Sequence, residues 1–307
     1  MQRKVLKRKF DKIVYSSPLL NRIFRNLNKF LSPLTSFRLR PFGVLTVQYG
    51  SARFKMATNE TSYVTKQIFW RGAKNFEYTP IFEKLVRTCT SFTDIGANTG
   101  YYSLLAAKAN SSIIVDAFEP ASGPFHFLEK NIVINHLHDR VFVHPIALSN
   151  QKGEVEFFEI LNPSDTFAKY NLSGVGGLKK THETQEHSIR KLVRAETLDD
   201  YSRRLKIHSF DLIKIDTEGT ENLVLEGSST IIRTYKPIII CETLFNKIEG
   251  KLENIMKAHG YLFFNHLNGK LHRTDTLLRD ADNGVSDCFF VHPEKLSLIQ
   301  NFLGTKQ

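Results

Sequence analysis

The chain has 307 residues, 41% of them hydrophobic and 24% charged, and a formal net charge of +11. That length and apolar share suffice for a large folded core and exclude a disordered chain. The three cysteines, Cys89, Cys241 and Cys288, are far apart and form no C-x-x-C pair, which argues against a disulfide framework or a zinc site and for free thiols in a reducing compartment.

The charge is unevenly placed. Residues 1–40 hold eleven Lys or Arg and one acid, Asp11, whereas the rest of the chain has 31 basic and 30 acidic residues. This divides the chain into a basic extension over 1–40, a lead-in over 41–88 and a nearly neutral body over 89–307. A neutral body counts against nucleic acid as a partner. No apolar run approaches the ~20 residues of a membrane span, and residues 1–12 lack the apolar core of a secretory signal. The expected location is cytoplasmic, with peripheral contact at a membrane surface kept open.

In residues 3–14, Leu6, Phe10, Ile13 and Val14 share one helical face. Ser17-Pro18 reads as an N-cap followed by proline at the first helical position. Leu20, Ile23, Phe24, Leu27, Phe30 and Leu31 then recur at helical spacing, and Pro33 ends the helix. Two basic amphipathic helices over residues 1–32 suit an anionic membrane surface. They equally suit a hydrophobic face of the domain or of a partner subunit. Residues 43–57 predict a hairpin turning at Gly50-Ser51. The stretch from Trp70 to Pro80 reads as irregular, and Pro80–Thr88 as a helix.

From Thr90 onward strands and helices alternate. Strands are predicted at Ser91–Ile95, Ile113–Phe118, Val141–Ile146, Val155–Glu159, Leu212–Asp216, Ile238–Cys241, Tyr261–His266 and Asp287–His292, and helices at Gly100–Ala109, Gly123–Asn135 and Glu221–Thr234. The fold class is α/β, a mostly parallel sheet with helices on both faces. With no helix between them, the last two strands are expected to form an antiparallel hairpin at one edge. Residues 162–190 read as a long polar loop.

Three strand ends carry chemistry. Asp94-Ile95-Gly96-Ala97-Asn98-Thr99-Gly100 joins an apolar strand to a helix, where glycines permit a tight turn and the helix offers free N–H groups. It is neither G-x-G-x-x-G nor a P-loop. The second strand ends in Glu119, an acid placed to accept both hydroxyls of a ribose. The strand predicted at Leu212–Asp216 ends in Asp216-Thr217-Glu218-Gly219-Thr220-Glu221. Three acids within six residues suit cation binding or proton chemistry, although helix capping also accounts for Glu218 and Glu221. Glu242, closing the next strand, borders the same crevice.

These stretches together resemble the FkbM family of methyltransferases: 92–103 with Asp94 and Gly96, Ala117-Phe118-Glu119-Pro120 with Asn131 and Asn135, Leu198-Asp199-Asp200, Ile215 to Glu221 with Leu225-Glu226-Gly227, and Pro237 to Glu242. The resemblance covers roughly residues 68–292 and leaves residues 1–60 outside. It implies a class I, Rossmann-like methyltransferase fold of seven strands using S-adenosylmethionine. It also implies that Asp94, Gly96, Asn98, Thr99 and Gly100 border the methionine end of the donor, that Glu119 binds its ribose, that Ala147 and Leu148 meet its adenine, and that Asp216 sits beside the methyl group and acceptor.

The reaction expected is O-methylation of a hydroxyl on a small molecule, a sugar or a lipid-linked glycan. Asp216 is the first candidate base and Glu218 the second; His144, His182 and His187 are weaker candidates. A divalent ion on Asp216, Glu218 and Glu242 is conceivable, but no spacing demands it and no metal is assigned. A nucleic-acid methyltransferase acting on adenine N6 would carry Asn/Asp-Pro-Pro-Tyr/Phe where this chain has Asp216-Thr217-Glu218-Gly219. A non-catalytic binding protein is disfavoured by the intact glycine loop and Glu119.

Overall fold

The computed structural model describes residues 10–160, 169–174, 176–178 and 188–304. In chain order these form helix α1 (residues 10–15), α2 (Pro18–Phe30), strands β1 (Gly43–Tyr49) and β2 (Ala52–Thr58), α3 (Tyr63–Arg71), α4 (Thr79–Val86), β3 (Ser91–Ile95), α5 (Tyr101–Ala109), β4 (Ile114–Phe118), α6 (Ser122–Ile134), β5 (Val141–His144), β6 (Ala147–Leu148), β7 (Gly153–Ile160), β8 (Ser188–Glu196), α7 (Leu198–Leu205), β9 (Leu212–Ile215), α8 (Glu221–Glu226), α9 (Ser229–Tyr235), β10 (Ile238–Glu242), α10 (Glu249–Ala258), β11 (Leu262–Leu267), β12 (Lys270–Thr274) and β13 (Asp287–Val291).

The apolar runs β3, β4, β9 and β10 pair in parallel at the centre of an eight-stranded sheet of order β12-β11-β13-β10-β9-β3-β4-β5. Strands covered on both faces read as continuous rather than alternating hydrophobic runs. One core, including Phe82, Phe92, Leu104 and Leu105, fills one side of the sheet, and a second, including Tyr201, Ile213, Val224 and Leu252, fills the other. Strand order reverses between β3 and β9. In such sheets the ligand crevice lies at this switch point, beyond the strand C-termini.

The mostly parallel α/β fold is as expected, with corrections in detail. The sheet has eight strands, not seven. The predicted final pair is antiparallel, but β13 inserts between β10 and β11, and the edge hairpin is β11–β12. Predicted strand 155–159 forms as β7 outside the main sheet, paired with the unpredicted β8, which also receives β6. Helix α3 lies where no element was foreseen; its N-cap Ser62 accepts from Thr65 N.

The single helix predicted over 221–234 is two, α8 and α9. A Cβ on Gly227 would lie 2.1 Å from the Ser149 carbonyl oxygen, so the chain passes another backbone there. Asp199 then caps the new helix, accepting from Thr230 N and Ile231 N at 2.9 and 3.0 Å.

The β1–β2 hairpin turns at Gly50-Ser51 as predicted and shares the first core. Buried Asn131, in the last turn of α6, and Asn135, its C-cap, pair with the hairpin's free edge. Their Oδ1 atoms accept from Ala57 N (2.6 Å) and Lys55 N (2.8 Å), so the two side chains take the place of a neighbouring strand. Among the described residues no helix is long and apolar enough to cross a membrane.

Candidate active site

A cavity opens at the switch point. Its walls come from the loops after β3, β4 and β9, the end of β10, strands β6 and β7, and residues of 171–174 and 176–178. Gly96, Asn98, Glu119, Ala147, Leu148, Asp216 and Glu218 all line it. Asp94, Thr99 and Gly100 do not; they stand behind the glycine loop and shape it.

Gly96 shows how tightly this loop is built. Its φ is +72°, and a Cβ there would lie 1.8 Å from the Asp216 carbonyl oxygen. The close approach that requires glycine is therefore to the end of β9, and it brings the glycine loop and Asp216 together. Gly100 (φ +86°) starts α5 in a left-handed conformation. The Thr99 carbonyl accepts from Asn131 Nδ2 at 2.8 Å.

Asp94 belongs to a buried ion cluster. Its Oδ2 accepts from Ser103 Oγ at 2.6 Å, and its Oδ1 lies 3.6 Å from Lys214 Nζ. Lys214, inside β9, also donates to the Gly96 carbonyl at 2.9 Å and lies 3.3 Å from Asp216 Oδ2. Burial alone would lower the Lys214 pKa, but Asp216, Asp94 and Glu77 together hold it above its usual value. The lysine therefore stays charged and tethers Asp216 to the loop.

Glu119 is 7% exposed. Its Oε2 accepts from Asn98 N and its Oε1 from Ala121 N, each at 2.8 Å. Burial pushes its pKa up from 4.5 to about 7, against the pull of these two backbone bonds and of Lys214. Asn98 adopts φ +50°, and its buried Oδ1 has no hydrogen-bond partner among the described residues. A buried acceptor left open at a cavity wall calls for a donor from a ligand.

Beyond Asp216, Glu221 caps its own turn, its Oε1 accepting from Thr217 N (2.8 Å) and Gly219 N (3.1 Å). Glu218, in contrast, lines the cavity. Carboxylate oxygens of Asp216, Glu218 and Glu242 lie within 4.8 Å of one another, an arrangement that could hold a divalent ion. The sequence named these same three residues as a conceivable ion site but assigned no metal, because no ligand spacing demanded one. Burial, then Asp216 and Glu218, raise the pKa of Glu242.

Glu77, from the stretch read as irregular, also lines the cavity, with Tyr102 Oη donating to its Oε2 at 2.8 Å. Burial and then Asp287 raise its pKa. Nothing in the local sequence marks Glu77. Lys214 did leave a signal, a charge inside a strand whose four residues are all buried, since such a charge must be paired. His144 stands away from the cavity, with Nε2 3.0 Å from Asp116 Oδ1 and 2.7 Å from Tyr201 Oη. His182 and His187 lie outside the described residues.

The switch-point crevice, the acids ending β4, β9 and β10, and antiparallel β13 set into a parallel sheet define a class I, Rossmann-like methyltransferase. The chain belongs to the FkbM methyltransferase family: residues 94–263 match the model of the methyltransferase FkbM domain. It is 23% identical over 228 residues to methyltransferase sdnD of Sordaria araneosa, covering 66% of this chain and 82% of that one. It is 26% identical over 191 residues to the 31-O-demethyl-FK506 methyltransferase FkbM of Streptomyces tacrolimicus, covering 55% and 71%. A crystal structure of methyltransferase FkbM from Methylobacillus flagellatus superposes with a TM-score of 0.42 at 16% identity over 66% of this chain; the chain spans 44% of that protein's length.

Proposed function

We propose that the protein transfers a methyl group from S-adenosylmethionine to a hydroxyl of a small molecule, a sugar or a lipid-linked glycan. The observation that carries this reading is the convergence, in one crevice, of Glu119, the open Oδ1 of Asn98 and Asp216. The Streptomyces relative is named for an O-demethyl substrate, which supports an oxygen acceptor.

When bound, S-adenosylmethionine supplies a methyl group on a positively charged sulfur. Glu119 uses one lone pair of each oxygen on backbone amides and keeps others for the ribose hydroxyls. Asn98 Oδ1 would accept from the ammonium of the amino-acid end. Ala147 and Leu148 offer an apolar wall to the adenine. Asp216, about two-fifths exposed and facing the cavity, takes the proton of the attacking hydroxyl, and Lys214 fixes its orientation.

Titration calorimetry with S-adenosylmethionine tests the donor assignment. Charge-assisted hydrogen bonds contribute roughly 1.5–3 kcal/mol each, so Glu119→Ala should weaken binding by roughly a hundredfold or more. Asp216→Asn should keep donor binding and lose turnover on hydroxylated acceptors. A well-folded wild type that binds no S-adenosylmethionine would overturn the reading. Binding without turnover on any hydroxylated acceptor would leave a non-catalytic binding protein.

A further inference from the structure

Helix α2 is inside out. Asn21, Arg25 and Asn28, one face of the helix, turn inward, and Asn21 and Arg25 are buried. Asn21 Oδ1 accepts from Phe42 N at 3.0 Å and its Nδ2 donates to the Arg40 carbonyl at 3.1 Å. Arg25 donates to the Phe42 carbonyl at 3.0 Å, and Asn28 Oδ1 accepts from Leu39 N at 2.8 Å. The polar face thus binds backbone groups of residues 39–42 and fixes the helix on the domain.

Much of the apolar face is left outside. Leu19, Ile23, Leu27 and Phe30 are 65%, 54%, 51% and 81% exposed, and Ile13 of α1 and Leu34 after α2 add 56% and 85%. Large apolar side chains grouped in this way on a surface mark an interaction site. Val14 is buried and Leu20 and Phe24 are half-buried, so the apolar stripe serves the domain only in part and its outward residues are left for a membrane surface or a partner.

We propose that the outward face of α1 and α2 binds the surface of an anionic lipid bilayer. Charge selects this occupant. Residues 1–40 carry eleven Lys or Arg against one acid, on a chain otherwise balanced at 31 to 30. Lys12, Arg22 and Arg38 are exposed within or beside the two helices, and residues 1–9 supply five more basic residues in sequence. A second copy would bring the same strongly positive segment against itself, which like-charge repulsion opposes. An apolar helical face flanked by cations matches the interfacial helix that lies in the headgroup layer. The inference does not rest on the acceptor assignment, because it concerns a surface made by residues outside the family match.

The test is co-sedimentation of the full chain with phosphatidylcholine vesicles and with vesicles that also contain phosphatidylglycerol. Binding should be roughly tenfold or more stronger to the anionic vesicles and should fall as salt is added. Ile23→Glu combined with Leu27→Glu should weaken it by roughly tenfold or more. Both side chains point outward, so the variant should melt like the wild type and keep its affinity for S-adenosylmethionine. Absence of binding to anionic vesicles, or undiminished binding by the double variant, would overturn the proposal. So would a wild-type dimer in sedimentation velocity that the double variant splits, which would assign the face to a second copy.

Discussion

Lys214→Met removes the cation that joins the glycine loop to the end of β9 while keeping most of the side-chain volume. Its Nζ lies 3.6 Å from Asp94 Oδ1, and Asp94 is 1% exposed. At that separation and an effective dielectric of about 20, Coulomb's law gives about 4–5 kcal/mol. Removing one partner of a buried pair costs about 3–5 kcal/mol, so urea unfolding at about pH 8 should show a loss of that size. The direction with pH follows from the neighbouring acids. Glu77, Glu119 and Asp287 are all raised chiefly by burial and are all pulled down by Lys214. Their coupling to the lysine exists only when they are ionised. Lys214, itself held above its usual value, stays charged throughout this range. The loss should therefore be greatest above about pH 8 and shrink by about 1 kcal/mol or more toward about pH 5.5. A loss under about 1 kcal/mol at about pH 8, or one that grows as pH falls, would refute this account of the cluster.

Gly96→Ala drives a Cβ into the Asp216 carbonyl at a positive φ, and a loss of about 3 kcal/mol or more is expected. Gly100→Ala meets the tip of the Leu128 side chain and should lose less; thermal melts showing equal losses would count against the loop packing described. Asn131→Ala leaves Ala57 N and the Thr99 carbonyl without their partner. It should lower stability by about 2–4 kcal/mol and speed amide exchange at Ala57. Glu119 rises from 4.5 to about 7 on folding, so the folded state binds its proton more tightly than the unfolded state does. Its ionised form therefore destabilises the protein by about 3 kcal/mol above about pH 7, and this is relieved as pH falls toward about 4.5. The wild type should gain stability over that fall in pH, and Glu119→Gln should remove part of the gain, as read from denaturation midpoints.

Much of the central sheet and several of its cavity residues were legible in the chain. Ser91–Ile95, 114–118, 212–215 and 238–242 are short apolar runs that end at or just before acids or a glycine turn. Strands buried on both faces must read so, and their C-terminal ends meet at the crevice by the topology of the sheet. The local pattern did not reveal β8, whose exposed and buried residues mix charge with apolar side chains, because its strand character comes from pairing with β7. The break at Gly227 depends on the Ser149 carbonyl, and the place of Glu77 at the cavity depends on a segment far from β9.

The N-terminal helix draws the line between the two kinds of information. Periodicity alone determined that Leu20 to Leu31 carry an apolar stripe and a polar one. It could not say which face meets the domain, since helical spacing is a property of neighbours in sequence. The tertiary structure decided it by offering Asn21, Arg25 and Asn28 the unpaired backbone groups of residues 39–42, so hydrogen bonding turned the polar face inward and left much of the hydrophobic one outside.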